Sequence, residues 1–325
     1  MIEIKNLSFR YGKHQTVFDQ LDMEMKAGYI YGLLGENGVG KTTLLRLLAG
    51  LRFPSEGSIH VNGMEPRKRQ ASFLQDVYYL PEVIDPVALS MNEYVKIYAP
   101  FYPAFDHGQF AHYISEFGLN PSKKLSQSSH GQQKKAMMSF ALACNTKLLL
   151  LDEPTNGMDI PSKGIFRRLI SQSATDEKCF IISTHQVRDL ENLIDPIVIL
   201  EHNQVLLNNS IEEISRKLWF GIHPQKSDKD LYREEAIGGY SVVSFNDEGE
   251  ETRVNIEMLF NAAIQNKELF KRLFIEKQES GPRLSFTEEM ERRIGNGEPG
   301  SARPGTENAR HPGEQSPRNT ENGNL

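Results

Sequence analysis

At 325 residues, 38% of them hydrophobic, the chain can bury one large core or two of ordinary size. Its 37 lysines and arginines against 43 acids leave a formal charge of -6, so bulk electrostatics do not call for nucleic acid or an anionic membrane surface. The two cysteines, Cys144 and Cys179, sit in apolar contexts without metal-ligand spacing, which fits a reducing compartment, by default the cytosol, better than a disulfide framework.

The opening "MIEIKNLSFRYG" has no basic start followed by an apolar stretch, and no segment approaches the roughly 18 to 20 apolar residues of a membrane helix. A membrane role therefore requires a partner. From residue 1 to about 215, apolar runs alternate with helical patterns: "YIYGLL" then "KTTLLRLLAG", "KLLLLDE" then "SKGIFRRLI", "KCFIIST" then "VRDLENLI". This is the order of an α/β domain with a mostly parallel sheet, whose strands read as continuous apolar runs because both faces are covered. Between about 86 and 145 the pattern becomes helical, as in "ALSMNEYVKIYAPFY", and predicts an inserted helical subdomain. Residues 216–288 predict a small α+β unit, a sheet carrying one helix packed through Leu259, Ala263, Phe270 and Phe274. From 289 to 325 the chain is rich in Gly, Pro, Asn, Glu, Ser and Arg, and a disordered tail is expected.

"GENGVGKTT" holds Gly35, four residues, then Gly40, Lys41 and Thr42, placed after a strand-like run and at the start of a helical one. That context makes it a phosphate-binding loop. Gly35, Glu36, Asn37, Gly38 and Gly40 turn backbone amides toward phosphate oxygens, and the helix start opened by Lys41, Thr42 and Thr43 adds partial positive charge. Lys41 is placed to reach the outer phosphates and Thr42 to ligate Mg2+. Downstream, "LLLLDEPTNGMD" sets Asp152 and Glu153 at the carboxyl end of a buried strand, the edge where open α/β sheets bind ligands. Asp152 is the candidate for holding Mg2+ and Glu153 for deprotonating the attacking water.

Together these residues resemble the nucleotide-binding domain of the ATP-binding cassette (ABC) family over roughly residues 1 to 215, a P-loop NTPase fold with an inserted helical subdomain. The resemblance implies further positions. Tyr11 in "FRYGKHQ" stands where an aromatic ring stacks on adenine, and His185 in "CFIISTHQ", after Ser183 and Thr184, where a histidine contacts the γ phosphate. Asp159 falls in the loop that links the two sites of a dimer, and it also suits a helix N-cap. "SSHGQ" occupies the place of the family signature Leu-Ser-Gly-Gly-Gln: Ser129, Gly131 and Gln132 match, while Ser128 and His130 depart. A β-carbon at His130 is compatible with that role only where the backbone does not need positive φ. Glu82 in "YYLPE" replaces a glutamine that contacts metal and water, and Leu80-Pro81-Glu82 resembles export-type transporters with separate subunits.

The implied function is ATP hydrolysis by a homodimer or heterodimer of ATP-binding subunits, with ATP and Mg2+ sandwiched between the phosphate loop of one and Ser129/Gly131 of the other. It drives a separate transmembrane permease and places the chain on the cytoplasmic face of the membrane, with no nucleic-acid partner. The alternatives are a soluble ABC ATPase acting on ribosomes or DNA, and an ATP sensor without turnover. A single phosphate loop and no heptad run disfavour the first, and intact Glu153 and His185 the second.

Overall fold

The described residues of the computed structural model are 1–12, 15–85 and 87–275, so the tail expected from 289 onward lies outside them. The chain opens with β1 (Ile2–Tyr11), β2 (Gln15–Met25), β3 (Ile30–Leu34), α1 (Lys41–Leu48), β4 (Glu56–Val61), α2 (Ala71–Gln75) and β5 (Val77–Leu80). Three helices follow, α3 (Met91–Tyr98), α4 (His107–Glu116) and α5 (His130–Ala143). Strand and helix then alternate again through β6 (Leu148–Asp152), α6 (Ile160–Ser173), β7 (Cys179–Ser183), β8 (Ile197–Glu201) and β9 (Gln204–Asn209). The last described elements are α7 (Ile211–Lys217), β10 (Leu218–His223), β11 (Tyr232–Ala236), β12 (Gly239–Phe245), α8 (Ile256–Gln265) and α9 (Lys267–Phe274).

A six-stranded sheet of order β5-β6-β7-β3-β8-β9 is parallel except for β9, which pairs antiparallel with β8. Side chains on a strand alternate between faces, and here each face has its own core. Leu148 and Leu150 of β6, with Cys179 and Ile181 of β7, pack into a cluster with α1 and the N-terminal strands. Leu149, Leu151, Phe180 and Ile182 pack on the opposite side with Phe140 of α5 and Phe166 of α6. Double coverage explains why these strands are apolar at every position.

The N-terminal strands form a separate antiparallel sheet, β2-β1-β4, which the sequence reading did not include. Its signal is present in β2, where buried Leu21, Met23 and Met25 alternate with exposed Asp22 and Glu24. Between residues 91 and 143 the described elements are helical. Ser90 starts α3 with a capping box to Glu93, and the helix tightens and stops around Pro100.

Two local expectations differ from the structure. The segment "VRDLENLI" forms only a short 3₁₀ turn, Val187–Asp189. Its polar side chains are taken by other elements, Asp189 by Lys163, Arg188 by Glu257, and Glu191 and Asn192 by Arg253, and Pro196 follows closely. The single helix expected near residue 260 is two, because Asn266 leaves helical geometry at φ -124°, ψ 47° and donates its side-chain amide to Leu231 O and Ala262 O. Leu259, Ala263 and Phe270 are buried as expected, with Phe274 packed alongside, and they belong to the same cluster as α5 and α6. The strands β10, β12 and β11 form a third, antiparallel sheet.

Candidate functional site

Because β7 lies between β6 and β3, the carboxyl ends of three strands converge: the loop before α1, the Asp152-Glu153 pair, and the turn leading to His185. A cavity of about 460 Å³ gathers them. Its walls include Tyr11, Asn37, Gly38, Gly40, Lys41, Thr42, Thr43, Glu82, Asp152, Glu153 and His185, with Gln15 and Val17 beside them. Gly35 and Glu36 line a neighbouring cavity of about 240 Å³, with Asn37, His185 and Phe260 of α8. Ser129, Gly131, Gln132 and Asp159 line neither.

The loop geometry demands glycine. Gly40 has φ 115°, and a β-carbon there would lie 2.8 Å from both Phe18 and Val17. As the N-cap of α1 it offers no side-chain acceptor, so first-turn amides are left for a ligand. Lys41 is buried, its ammonium donating to Gly35 O at 2.7 Å and Glu36 O at 3.1 Å. Burial pulls its pKa down, and Glu153, Asp152 and Glu82 pull it back up. Tyr11 ends β1 with its hydroxyl 3.2 Å from Thr43 Oγ1 and its ring edge-on to Phe9.

Asp152 is 1% exposed, and both carboxylate oxygens accept from hydroxyls: Ser183 Oγ at 2.6 Å on Oδ1, Tyr79 OH at 3.1 Å on Oδ2. Burial and the Asp152 charge push the Tyr79 phenol up to about 12, so it stays a donor. Glu153, 6% exposed, sits at φ 46°, a backbone conformation that costs a non-glycine residue of the order of 1 kcal/mol or more. Its N–H donates to both Ser183 O and Ser183 Oγ at 3.1 Å, which holds the turn. His185 Nδ1 lies 2.8 Å from Glu153 Oε1, and the His185 amide donates to Oε2 at 3.4 Å.

The signature stretch starts α5. Ser129 is its exposed N-cap, accepting the Gln132 N–H at 3.3 Å while Gln132 Oε1 accepts the Ser129 N–H, a reciprocal capping box. His130 is the first helical residue and is not among the positive-φ positions, so its β-carbon is accommodated. A β-carbon on Gly131 would stand 2.9 Å from Gly157 O, which brings α5 hard against the loop after Glu153. Asp159 caps α6, accepting the Ser162 N–H at 2.8 Å.

Glu82 is tied twice. Its Oε1 accepts from Asn156 at 3.1 Å, and its carbonyl accepts from the ammonium of Lys134, a 0%-exposed residue of α5, at 2.6 Å. Burial pulls the Lys134 pKa down, opposed by Glu82, Asp152 and Glu153. Tyr79, Lys134, Asn156 and the bracing role of Ser183 escaped the sequence reading. Tyr79, Asn156 and Ser183 fall within stretches singled out for other residues, and none was assigned a role, although the alternation of β5 marks Tyr79 as facing away from its buried neighbours Tyr78 and Leu80. The donors suit Mg2+: Thr42, Asp152 and Glu82 share one cavity. Mg2+ usually keeps several waters and binds through one or two carboxylates together with substrate phosphates, a donor set that Asp152 and Glu82 can supply here.

Residues 18–156 match the ABC transporter family. The bacitracin transport ATP-binding protein BcrA of Bacillus licheniformis is 32% identical over 221 residues, covering 67% of this chain and 72% of that protein. An uncharacterised ABC transporter ATP-binding protein of Bacillus subtilis strain 168, YybJ, is 33% identical over 226 residues, covering 67% of this chain and 99% of that one. The solved structure of an ATP-binding subunit of an ABC transporter superposes with a TM-score of 0.60 at 25% identity, covering 66% of this chain and 92% of that chain. With the phosphate loop and the paired acids converging at one sheet edge, this chain belongs to the ABC transporter family as one of its ATP-binding, ATP-hydrolysing subunits.

Proposed function

We propose that the chain works as one of two ATP-binding subunits, paired copies or a copy with a related chain, that enclose two ATP molecules head to tail and drive a separate transmembrane permease in the export direction. The observation that carries this reading is the division of the site. One cavity gathers the phosphate loop, Asp152, Glu153 and His185, while Ser129 stands exposed at the start of a helix outside it. A twofold axis lets the same patch complete both sites.

In this reading the loop amides and Lys41 bind the phosphates, and Tyr11 stacks on adenine. Thr42 and Asp152, with Glu82 at the margin, would hold Mg2+, which when bound neutralises charge on the phosphate oxygens. Glu153 takes the proton of the water that attacks the γ phosphorus as the bond to ADP breaks. His185, already bonded to Glu153, contacts the γ phosphate. Ser129, Gly131 and Gln132 close over the γ phosphate held by the partner subunit, and Asp159 joins the two sites. Closure on ATP and reopening after hydrolysis form a ligand-biased two-state stroke.

Among the described residues no helix is long and apolar enough to cross a membrane. The stroke therefore needs a docking surface, which we assign to a groove of about 420 Å³ lined by Leu51, Leu74, Tyr79, Phe101 and Tyr102 beside the inserted helices. Phe101 is 64% exposed there, and Ile97 and Tyr98 of α3 are exposed nearby in the chain. Such a groove suits an apolar segment of a permease on the cytoplasmic side. The similarity to the bacitracin transport ATP-binding protein BcrA supports a role in transport, and the Leu80-Pro81-Glu82 sequence, which resembles export-type transporters, supports the export direction.

The test is affinity purification of tagged Glu153→Gln with ATP from gently solubilised membranes. A stoichiometric polytopic membrane protein is expected, and Phe101→Asp is expected to lose it by about tenfold or more, the cost of placing a charge in an apolar interface. Recovery with ribosomal proteins or nucleic acid alone would overturn the transporter reading in favour of a soluble remodelling ATPase.

A further inference from the structure

Tyr79 stands where two surfaces meet. It is half-buried in β5, between buried Tyr78 and Leu80, and its side chain projects to the opposite face from theirs. The hydroxyl donates to Asp152 Oδ2 at 3.1 Å, and the positive charge of Arg46 in α1, the helix that carries the phosphate loop at its start, acts on the phenol. The same tyrosine lines the groove together with Leu74 and Phe101.

Asp152 needs this partner. At 1% exposure its oxygens depend on protein donors, and Ser183 serves only Oδ1. Without the phenol the carboxylate is held at one oxygen and free to turn about its Cβ–Cγ bond. Beyond β5 the chain reaches Pro81 and Glu82, so displacement of the groove wall also bears on Glu82, another acid of the cavity.

We propose that Tyr79 is a positioning residue for ATP hydrolysis: its hydroxyl fixes the Asp152 carboxylate for the divalent cation, and its ring passes the state of the groove to that carboxylate. The second half rests on the groove being the permease-docking surface; the first half does not.

Tyr79→Phe keeps the ring and removes one oxygen, which makes it the variant of choice. Outer-sphere partners of metal-holding groups typically contribute about 10- to 100-fold in metal affinity or activity. The expected result is Mn2+ binding, read by electron paramagnetic resonance with a non-hydrolysable ATP analogue present, weakened about tenfold, with turnover falling in step. Binding of a fluorescent ATP analogue without metal stays within about twofold, a split that a general loss of packing would not produce. Mn2+ affinity and turnover both within about twofold of the unmodified chain would overturn the positioning role. In the permease complex the variant is expected to lose the permease's stimulation of turnover, and full retention would overturn the groove half. A cation defect in a chain that captures no permease would leave the positioning role standing and remove only the docking reading.

Discussion

Glu153→Gln is expected to lower steady-state phosphate release by about 10²- to 10⁴-fold while ATP binding and ATP-dependent association persist. The substitution is close to isosteric, and the turn that aims the side chain is fixed by the Glu153 backbone, whose N–H is shared by Ser183 O and Ser183 Oγ. Glutamine can still accept from His185, now through an amide oxygen, but it cannot take up a proton from water. Since the residue is 6% exposed, replacing a carboxylate by a neutral amide carries no desolvation penalty, and the melting temperature should not fall. Phosphate release within about twofold of the unmodified rate would remove Glu153 as the base and leave His185 as the candidate to examine.

Lys41→Ala is expected to weaken ATP binding by roughly 10²-fold, measured by equilibrium titration. Each hydrogen bond from a charged donor contributes about 1.5–3 kcal/mol, and contact with two phosphates amounts to about 3 kcal/mol or more. Lys41 also donates to the Gly35 and Glu36 carbonyls, so the variant loses some order in the loop as well as charge. Thermal midpoints without ATP separate the two effects: a small shift with a large loss of affinity assigns the loss to the phosphates. An ATP affinity changed less than about threefold would contradict the phosphate-loop reading outright.

Much of the site was legible because its parts are contiguous in sequence. Gly35 to Thr43 form one loop and helix start, and Asp152-Glu153 close a run of leucines that has to be a covered strand. His185 follows the next such strand. What escaped are contacts between residues far apart in the chain. Tyr79 meets Asp152 across 73 positions, Lys134 meets the Glu82 carbonyl across 52, and Asn156 meets the Glu82 carboxylate across 74. No local pattern encodes these, and Lys134, the first lysine in "QQKKAMMSF", reads as surface although it is buried.

The fold divides in the same way. The parallel strands were visible as apolar runs, and the alternation in β2 was present but overlooked because one face is exposed and the run is therefore not continuous. The helical appearance of "VRDLENLI" yielded to tertiary partners that claim Asp189, Arg188, Glu191 and Asn192. Near residue 260 the 3.6-residue period runs through Asn266, and the break shows in its non-helical backbone and in its side-chain bonds to Ala262 O and to Leu231 O, just before β11.

The central claim is that each hydrolytic site draws Glu153 from one subunit and Ser129 from another. Mixing Glu153→Gln chains with Ser129→Arg chains tests it most directly, because a mixed pair holds one site with both groups intact. Each variant alone is expected to be nearly inactive, and the mixture to regain turnover up to about a quarter of the unmodified rate, half the pairs being mixed with one working site each. Full turnover by Ser129→Arg alone, or a mixture as inactive as its components, would contradict a site shared between subunits.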